Sequence, residues 1–179
     1  MLAMQLEEFV GDCGLEIDAF LAKHGRGFLL HCALDRPPDL KDEVEDEPST
    51  RSKKTRFTAR LDPEVLPMSF GSQYSVYRLR TSPGSSEHIK VGRVDENEVC
   101  IADSSISKQH AEVRQVESDQ FAIMDLGSKN GTMVEQERLL VRVWQSLESN
   151  ATVQLGEVKL TFMLGPQFVA FVKQTCAPR

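Results

Sequence analysis

From residue 74 the chain runs through YSVYRLR (74–80), HIKV (88–91), EVCIA (98–102), HAEVRQV (110–116), FAIM (121–124), TMVE (132–135), RLLVRVW (138–144), ATVQL (151–155), VKLTFML (158–164) and FVAFV (168–172). These runs are short, rich in β-branched residues and often alternate apolar with polar. Turn-forming stretches separate them: SPGSS, RVDEN, ESDQ, GSKNG, ESN and LGP. About ten short strands at this spacing predict a β-sandwich or barrel. A long helix has no place in this stretch.

Upstream the pattern changes. Leu6, Phe9, Val10 and Cys13 recur at helical spacing, and Ile17, Phe20 and Leu21 continue the stripe. Gly11 and Gly14 divide it into two short helices, and Gly25 stops the second after Lys23 and His24. FLLHCAL (28–34) reads as a short buried strand. Residues 1–36 thus form an N-terminal helical segment plus a short strand, with no function legible in it. Pro37 and Pro38 open a charged linker over 37–66. Its acidic block (Asp39, Asp42, Glu43, Glu45, Asp46, Glu47) is followed by a basic block (Arg51, Lys53, Lys54, Arg56, Arg60). Blocks of this kind stay solvated.

The whole chain has 179 residues, of which 40% are hydrophobic, enough for a real core. Its formal net charge of -6 and pI near 5.3 argue against a duplex-binding face. No apolar run reaches the length of about 18 residues that a membrane helix needs. The first residues carry Glu7 and Glu8 where an export signal would carry basic residues and an apolar run. Cys13, Cys32, Cys100 and Cys176 are far apart, as free thiols in a reducing cytosol would be. A cytoplasmic location is expected, without membrane or nucleic acid as partner.

Three clusters in the turns carry the chemistry. Gly92-Arg93 follows HIKV, Ser107-Lys108-Gln109-His110 precedes HAEVRQV, and Asp125 to Thr132 joins FAIM to TMVE. Arg93 offers a planar fork of donors for phosphate oxygens. Ser107 adds a hydroxyl and a backbone N–H, and Lys108 a mobile point charge. The Asn130 amide both donates and accepts, as pairing with a peptide backbone requires. Together they describe a site for a phosphorylated side chain and the main chain that bears it. Catalysis is not expected, since neither GxSxG nor GxxxxGK[ST] is present. No cofactor is called for. No metal site is expected from Cys13, His24, His31 and Cys32, because neighbours on a strand face opposite ways.

The set GR-x3-N-x-V-x-I-x-D-x2-I-S-K-x-H-A, then D-L-G-S-K-N-G-T-x-V, resembles the forkhead-associated (FHA) domain, a phosphothreonine-binding family. The resemblance covers 67–173, leaving 174–179 as a tail. It implies a mainly β, FHA-type sandwich of about ten to eleven strands, with the short helical segment in front. It also implies an intracellular bacterial adaptor in Ser/Thr kinase signalling, not an enzyme, whose partner carries phosphothreonine. By the same resemblance Arg93 and Ser107 hold phosphate, Lys108 assists, Asn130 holds the peptide backbone and Lys129 lines the groove. Gly92, His110, Ser128 and Gly131 shape the loops. Glu135-Gln136-Glu137 and Ser149-Asn150-Ala151 depart from the family's usual turns, away from the phosphate site. The alternative is a phosphate-independent scaffold or oligomerisation module. Thr50, Thr55 and Thr58 lie in or beside the basic block and suit a basophilic kinase. Once phosphorylated, the linker could serve as a ligand for its own domain; the plainer expectation is a solvated tether.

Overall fold

A computed structural model describes residues 3–33, 73–80 and 88–176. The linker at 37–66, with Thr50, Thr55 and Thr58, lies outside the described residues. The elements in order are β1 (Met4–Gln5), a 3-10 turn (Leu6–Asp12), α1 (Ile17–His24), β2 (Gly27–Cys32), β3 (Tyr74–Leu79), β4 (His88–Gly92), β5 (Val99–Cys100) and β6 (Ala111–Glu117). There follow β7 (Gln120–Asp125), β8 (Thr132–Val134), β9 (Glu137–Arg138), β10 (Trp144–Leu147), β11 (Thr152–Leu155), β12 (Val158–Leu164) and α2 (Gly165–Thr175).

Two sheets face each other. One has the strand order β1-β3-β2-β12-β11-β8-β9, the other β10-β7-β6-β4-β5. Alternation supplies the filling. Ile89 and Val91, Val113, Phe121 and Ile123, and Leu160 and Phe162 point inward and are buried. The sandwich is the mainly β fold expected from the strand runs.

The first segment is not an appendage. β2 lies in the middle of the larger sheet, with Phe28↔Arg78 against β3 and Leu30↔Thr161 against β12. A domain starting at residue 67 would lack this strand, so the sheet takes in residues from both sides of the charged segment. The unbroken apolar run of β2 has a reason: both faces are covered. Leu29 enters the core between the sheets, while Phe28 and Leu30 enter a second core on the outer face. That second core is closed by the 3-10 turn, α1 and α2, through Leu6, Phe9, Phe20, Phe168 and Val172. Phe28 and Phe168 stack with centroids 4.1 Å apart, and Phe9 meets Phe168 edge-on at 5.0 Å. The Asp12 carboxylate ties the turn to α1, accepting from Lys23 Nζ and pairing with His24 Nε2 at 2.7 and 2.8 Å.

Two of the strand expectations are corrected. FVAFV lies in the helix α2: Pro166 sits in its first turn, and Phe168, Val169 and Val172 form a helical stripe buried on the second core. In RLLVRVW only the ends join strands. Residues 139–143 are a connection, held by Leu139 N–H to Thr132 O (2.9 Å) and Arg142 N–H to Asp125 O (2.8 Å). Its β-branched composition does not reflect the core, because Val141 and Val143 are at least half exposed, and only Val141 is paired, in an isolated bridge to Asp125. Of the altered turns, the first closes the β8–β9 hairpin and the second carries the chain from β10 in the smaller sheet to β11 in the larger. Glu135 and Gln136 join β8 to β9 at φ 50 and 69, and Asn150 turns at φ 70.

Candidate functional site

The site is built at one end of the sandwich, where β4 ends, β6 begins, β7 ends and β11 turns into β12. Arg93 follows β4. Its N–H donates to Ser107 O (3.0 Å), and Ile101 N–H donates to Gly92 O (2.9 Å). Gly92 is required by close approach. A Cβ there would run into the Lys108 carbonyl and stand 2.8 Å from Asn97 Nδ2. Asn97, 3% exposed, fixes the same loop by donating from Nδ2 to Val94 O (2.8 Å) and Lys108 O (2.7 Å).

His110 joins the loops from below. It is fully buried; Nδ1 accepts from Ser107 N–H at 3.1 Å, so Nε2 carries the hydrogen and donates to Gly131 O at 3.1 Å. Burial holds its pKa below the usual 6.5, against the opposing pull of the Gly131 carbonyl and the Asp125 charge. The neutral ring is the form this geometry needs.

Asp125 organises the third loop. Oδ1 accepts from Gly127 N–H (2.7 Å) and Ser128 N–H (3.0 Å). Oδ2 accepts from the hydroxyls of Ser128 (2.6 Å) and Thr132 (2.6 Å). Burial pushes this carboxyl up, but the four donors outweigh it and hold it below 3.8. Ser128 Oγ in turn accepts from Gly131 N–H at 3.0 Å. Gly131 sits at φ 86, in the left-handed region.

On this base the exposed groups converge. Ser107 Oγ accepts from Lys129 N–H at 3.0 Å. That bond leaves the hydroxyl hydrogen to be donated outward. Asn130 spends one Nδ2 hydrogen on Ser105 O (2.7 Å), which leaves Oδ1 and the second hydrogen for a ligand. Ser105 is itself held by Asp103 Oδ1 and, through its Oγ, receives Glu157 N–H from the β11–β12 turn at 3.0 Å. The side chains of Arg93, Lys108, Lys129 and Asn130 are all on the surface, with Ser107 half-buried among them. Three cations and a free hydroxyl donor therefore share one rim.

The structure thus brings together all five residues expected to touch a ligand and the four expected to shape the loops. Asn97, Asp103, Ser105, Asp125 and Thr132 were not among them, although their bonds fix the loops. All of these but Ser105 stand as fixed letters in the quoted motif, which was the available signal. Among the described residues no group of three or more His, Cys, Asp or Glu side chains is placed to hold a metal, and no helix is long and apolar enough to cross a membrane.

A β-sandwich that presents a preformed cationic rim on three loops at one end is a binding module. Residues 89–156 match the FHA domain family, and the chain carries an FHA domain. It is 28% identical over 156 residues to the glycogen accumulation regulator GarA of Mycobacterium tuberculosis, covering 74% of this chain and 92% of that protein. It is 36% identical over 75 residues to the oxoglutarate dehydrogenase inhibitor of Corynebacterium efficiens, covering 42% of this chain and 50% of that one. Among solved structures, the FHA domain of the CT664 protein from Chlamydia trachomatis is 29% identical, with a TM-score of 0.43 over 49% of this chain and 83% of that one.

Proposed function

We propose that this protein is a phosphothreonine-dependent adaptor in Ser/Thr kinase signalling, and that Arg93, Ser107, Lys108, Lys129 and Asn130 read the ligand. One observation carries the reading: the Lys129 N–H to Ser107 Oγ bond, which leaves the Ser107 hydroxyl hydrogen to be donated, on loops that also carry the exposed Arg93, Lys108 and Lys129. A phosphate dianion is the ligand that accepts from all of them at once. Asn130 beside them keeps an acceptor and a donor for the peptide main chain. The likeness to a regulator and to an inhibitor supports a regulatory rather than catalytic role. A cytoplasmic setting belongs to the same proposal.

The test is calorimetric titration of the full-length protein with phosphothreonine peptides and with their phosphoserine and unphosphorylated counterparts. Saturable binding of the phosphothreonine forms is expected, weakening with salt. The phosphoserine forms should bind about tenfold more weakly or worse if the pocket holds the threonine methyl in an apolar niche. Equal binding of the unphosphorylated forms would favour the phosphate-independent scaffold.

Thr50, Thr55 and Thr58 are proposed as phosphoacceptors on the same chain. The topology supports this: Cys32 pairs with Tyr74, and Ala33 N–H donates to Gln73 O at 2.8 Å. Both ends of the intervening segment therefore lie at the end of the sheet where β12 starts, the end that carries the phosphate rim. The expected result of phosphorylating them is weaker binding of an added phosphopeptide. Unchanged affinity, with phosphate confirmed on the segment by mass spectrometry, would refute it.

A further inference from the structure

Beside the phosphate end the two sheets leave an opening. β9 is the last strand of the larger sheet and β10 the last of the smaller. Between these two edges lies a cleft of about 590 Å³. Val134, Leu139, Leu140 and Val143 supply its apolar lining. Leu140 is 73% exposed and Val143 50%, and Val141 beside them is 58% exposed. Three large apolar side chains on one short connection, next to a strand edge that is unpaired among the described residues, form a surface suited to being covered. The charged lining is Glu135, Glu137 and Glu148 against Arg138, so the cleft is acidic overall.

The connection that supplies the apolar end of the cleft is tied to the phosphate end, while Glu135 and Glu148 line its far end. Val141 bridges to Asp125, and Arg142 N–H donates to Asp125 O; this is the residue whose carboxylate shapes the 127–131 loop. Across the end of the smaller sheet the order is Arg93 after β4, Ser107 before β6, Asn130 after β7, and Val141 before β10. Neighbouring strands lie about 4.8 Å apart, so β4 and β10 are about 14 Å apart, a distance that about four residues of extended chain span.

We infer that the cleft takes a second part of the same partner: an extended stretch with an apolar residue flanked by Lys or Arg, about four or more residues from the phosphothreonine, added to the edge of β10 that no described strand pairs. This rests on the phosphothreonine reading. The charges are complementary along the path, with the phosphate meeting Arg93, Lys108 and Lys129 and the basic residues meeting Glu135, Glu137 and Glu148. The β10 edge supplies main-chain hydrogen bonds, and Leu140 and Val143 receive the apolar side chain.

The test uses degenerate phosphothreonine peptide libraries on the full-length protein, one short and one extended by about ten residues on each side, long enough to pass the cleft. Wild type is expected to select an apolar residue with basic neighbours at a fixed distance, in the long library only. The double variant Leu140→Asp, Val143→Asp should lose that selection and about tenfold in affinity for the selected long peptides. It should bind the short library as wild type does, which also shows that it is folded. No apolar-basic preference, or the same preference in the double variant, would overturn the inference. Loss of all binding in Arg93→Ala supports the underlying reading, and binding untouched by Arg93→Ala overturns that reading instead.

Discussion

Replacing His110 by alanine tests how the phosphate rim is held in place. The ring is fully buried and makes two hydrogen bonds, one from Ser107 N–H and one to Gly131 O. Gly131 O keeps a second partner in Gly156 N–H at 3.1 Å, so only Ser107 N–H is orphaned. An orphaned buried donor costs about 1–3 kcal/mol. Truncating a buried ring adds a cavity cost, so the total is about 3–5 kcal/mol. For a chain of this size that lowers the melting temperature by about 10 °C. Urea unfolding followed by the fluorescence of Trp144, the single tryptophan, measures it. Arg114 lies 4.3 Å from that ring's centroid, an environment that unfolding removes. The pH dependence gives a second signature. The folded pKa of His110 lies below 6.5, so the unfolded chain takes up the proton first as pH falls. Its contribution to stability is complete above pH 6.5 and is lost as pH drops below that value towards the folded pKa. The variant should lack this component. A loss below about 1 kcal/mol, well short of one orphaned donor plus a cavity, or an unchanged pH slope, would refute the reasoning.

Arg93→Ala should cost about 2–5 kcal/mol of phosphopeptide binding by titration, while the melting temperature stays within about 2 °C of wild type, because the side chain is exposed. Gly92→Ala should lower both stability and binding, by about 1–3 kcal/mol of stability in urea, since its Cβ would displace Lys108 O and Asn97; a wild-type melting curve would contradict the close approach. Phe168→Ala should cost about 3–5 kcal/mol of stability and leave phosphopeptide affinity unchanged. Its ring stacks on Phe28 in the second core, away from the rim; separate unfolding of a stable sandwich would contradict that integral packing.

The strands were legible because a sandwich core imposes a period of two, and Ile89, Val91, Val113 and Ile123 carry it openly. Local pattern fails where it carries two meanings. FVAFV has the composition of a strand, yet Phe168, Val169 and Val172 also mark one face of a helix, and Pro166 two residues earlier was the cue. Pairing at long range was invisible. β2 and β3 are antiparallel neighbours separated by the whole charged segment, and nothing in FLLHC names its partners. Arg93, Ser107, Lys108 and Asn130 were singled out by their donor chemistry, and Lys129 only by the family resemblance. Asp125 and Asn97 were harder to see, because their importance lies in bonds to backbone groups elsewhere.

The site divides into two kinds of residue. Arg93, Lys108, Lys129 and Asn130 are exposed and owe their positions to their backbones. Asn97, His110 and Asp125 are buried and hold those backbones. Gly131 O shows the coupling, since it receives both His110 Nε2 from the smaller sheet and Gly156 N–H from the larger. The loops are therefore anchored to both sheets through their backbones. Loops already held in place would lower the ordering cost of binding the proposed phosphopeptide. It follows that changes to the exposed set should alter affinity alone. Changes to the buried set should alter affinity and stability together, because the bonds that position the loops are buried and, for His110 and Asp125, also reach from the smaller sheet to Gly131 and Thr132 at the larger.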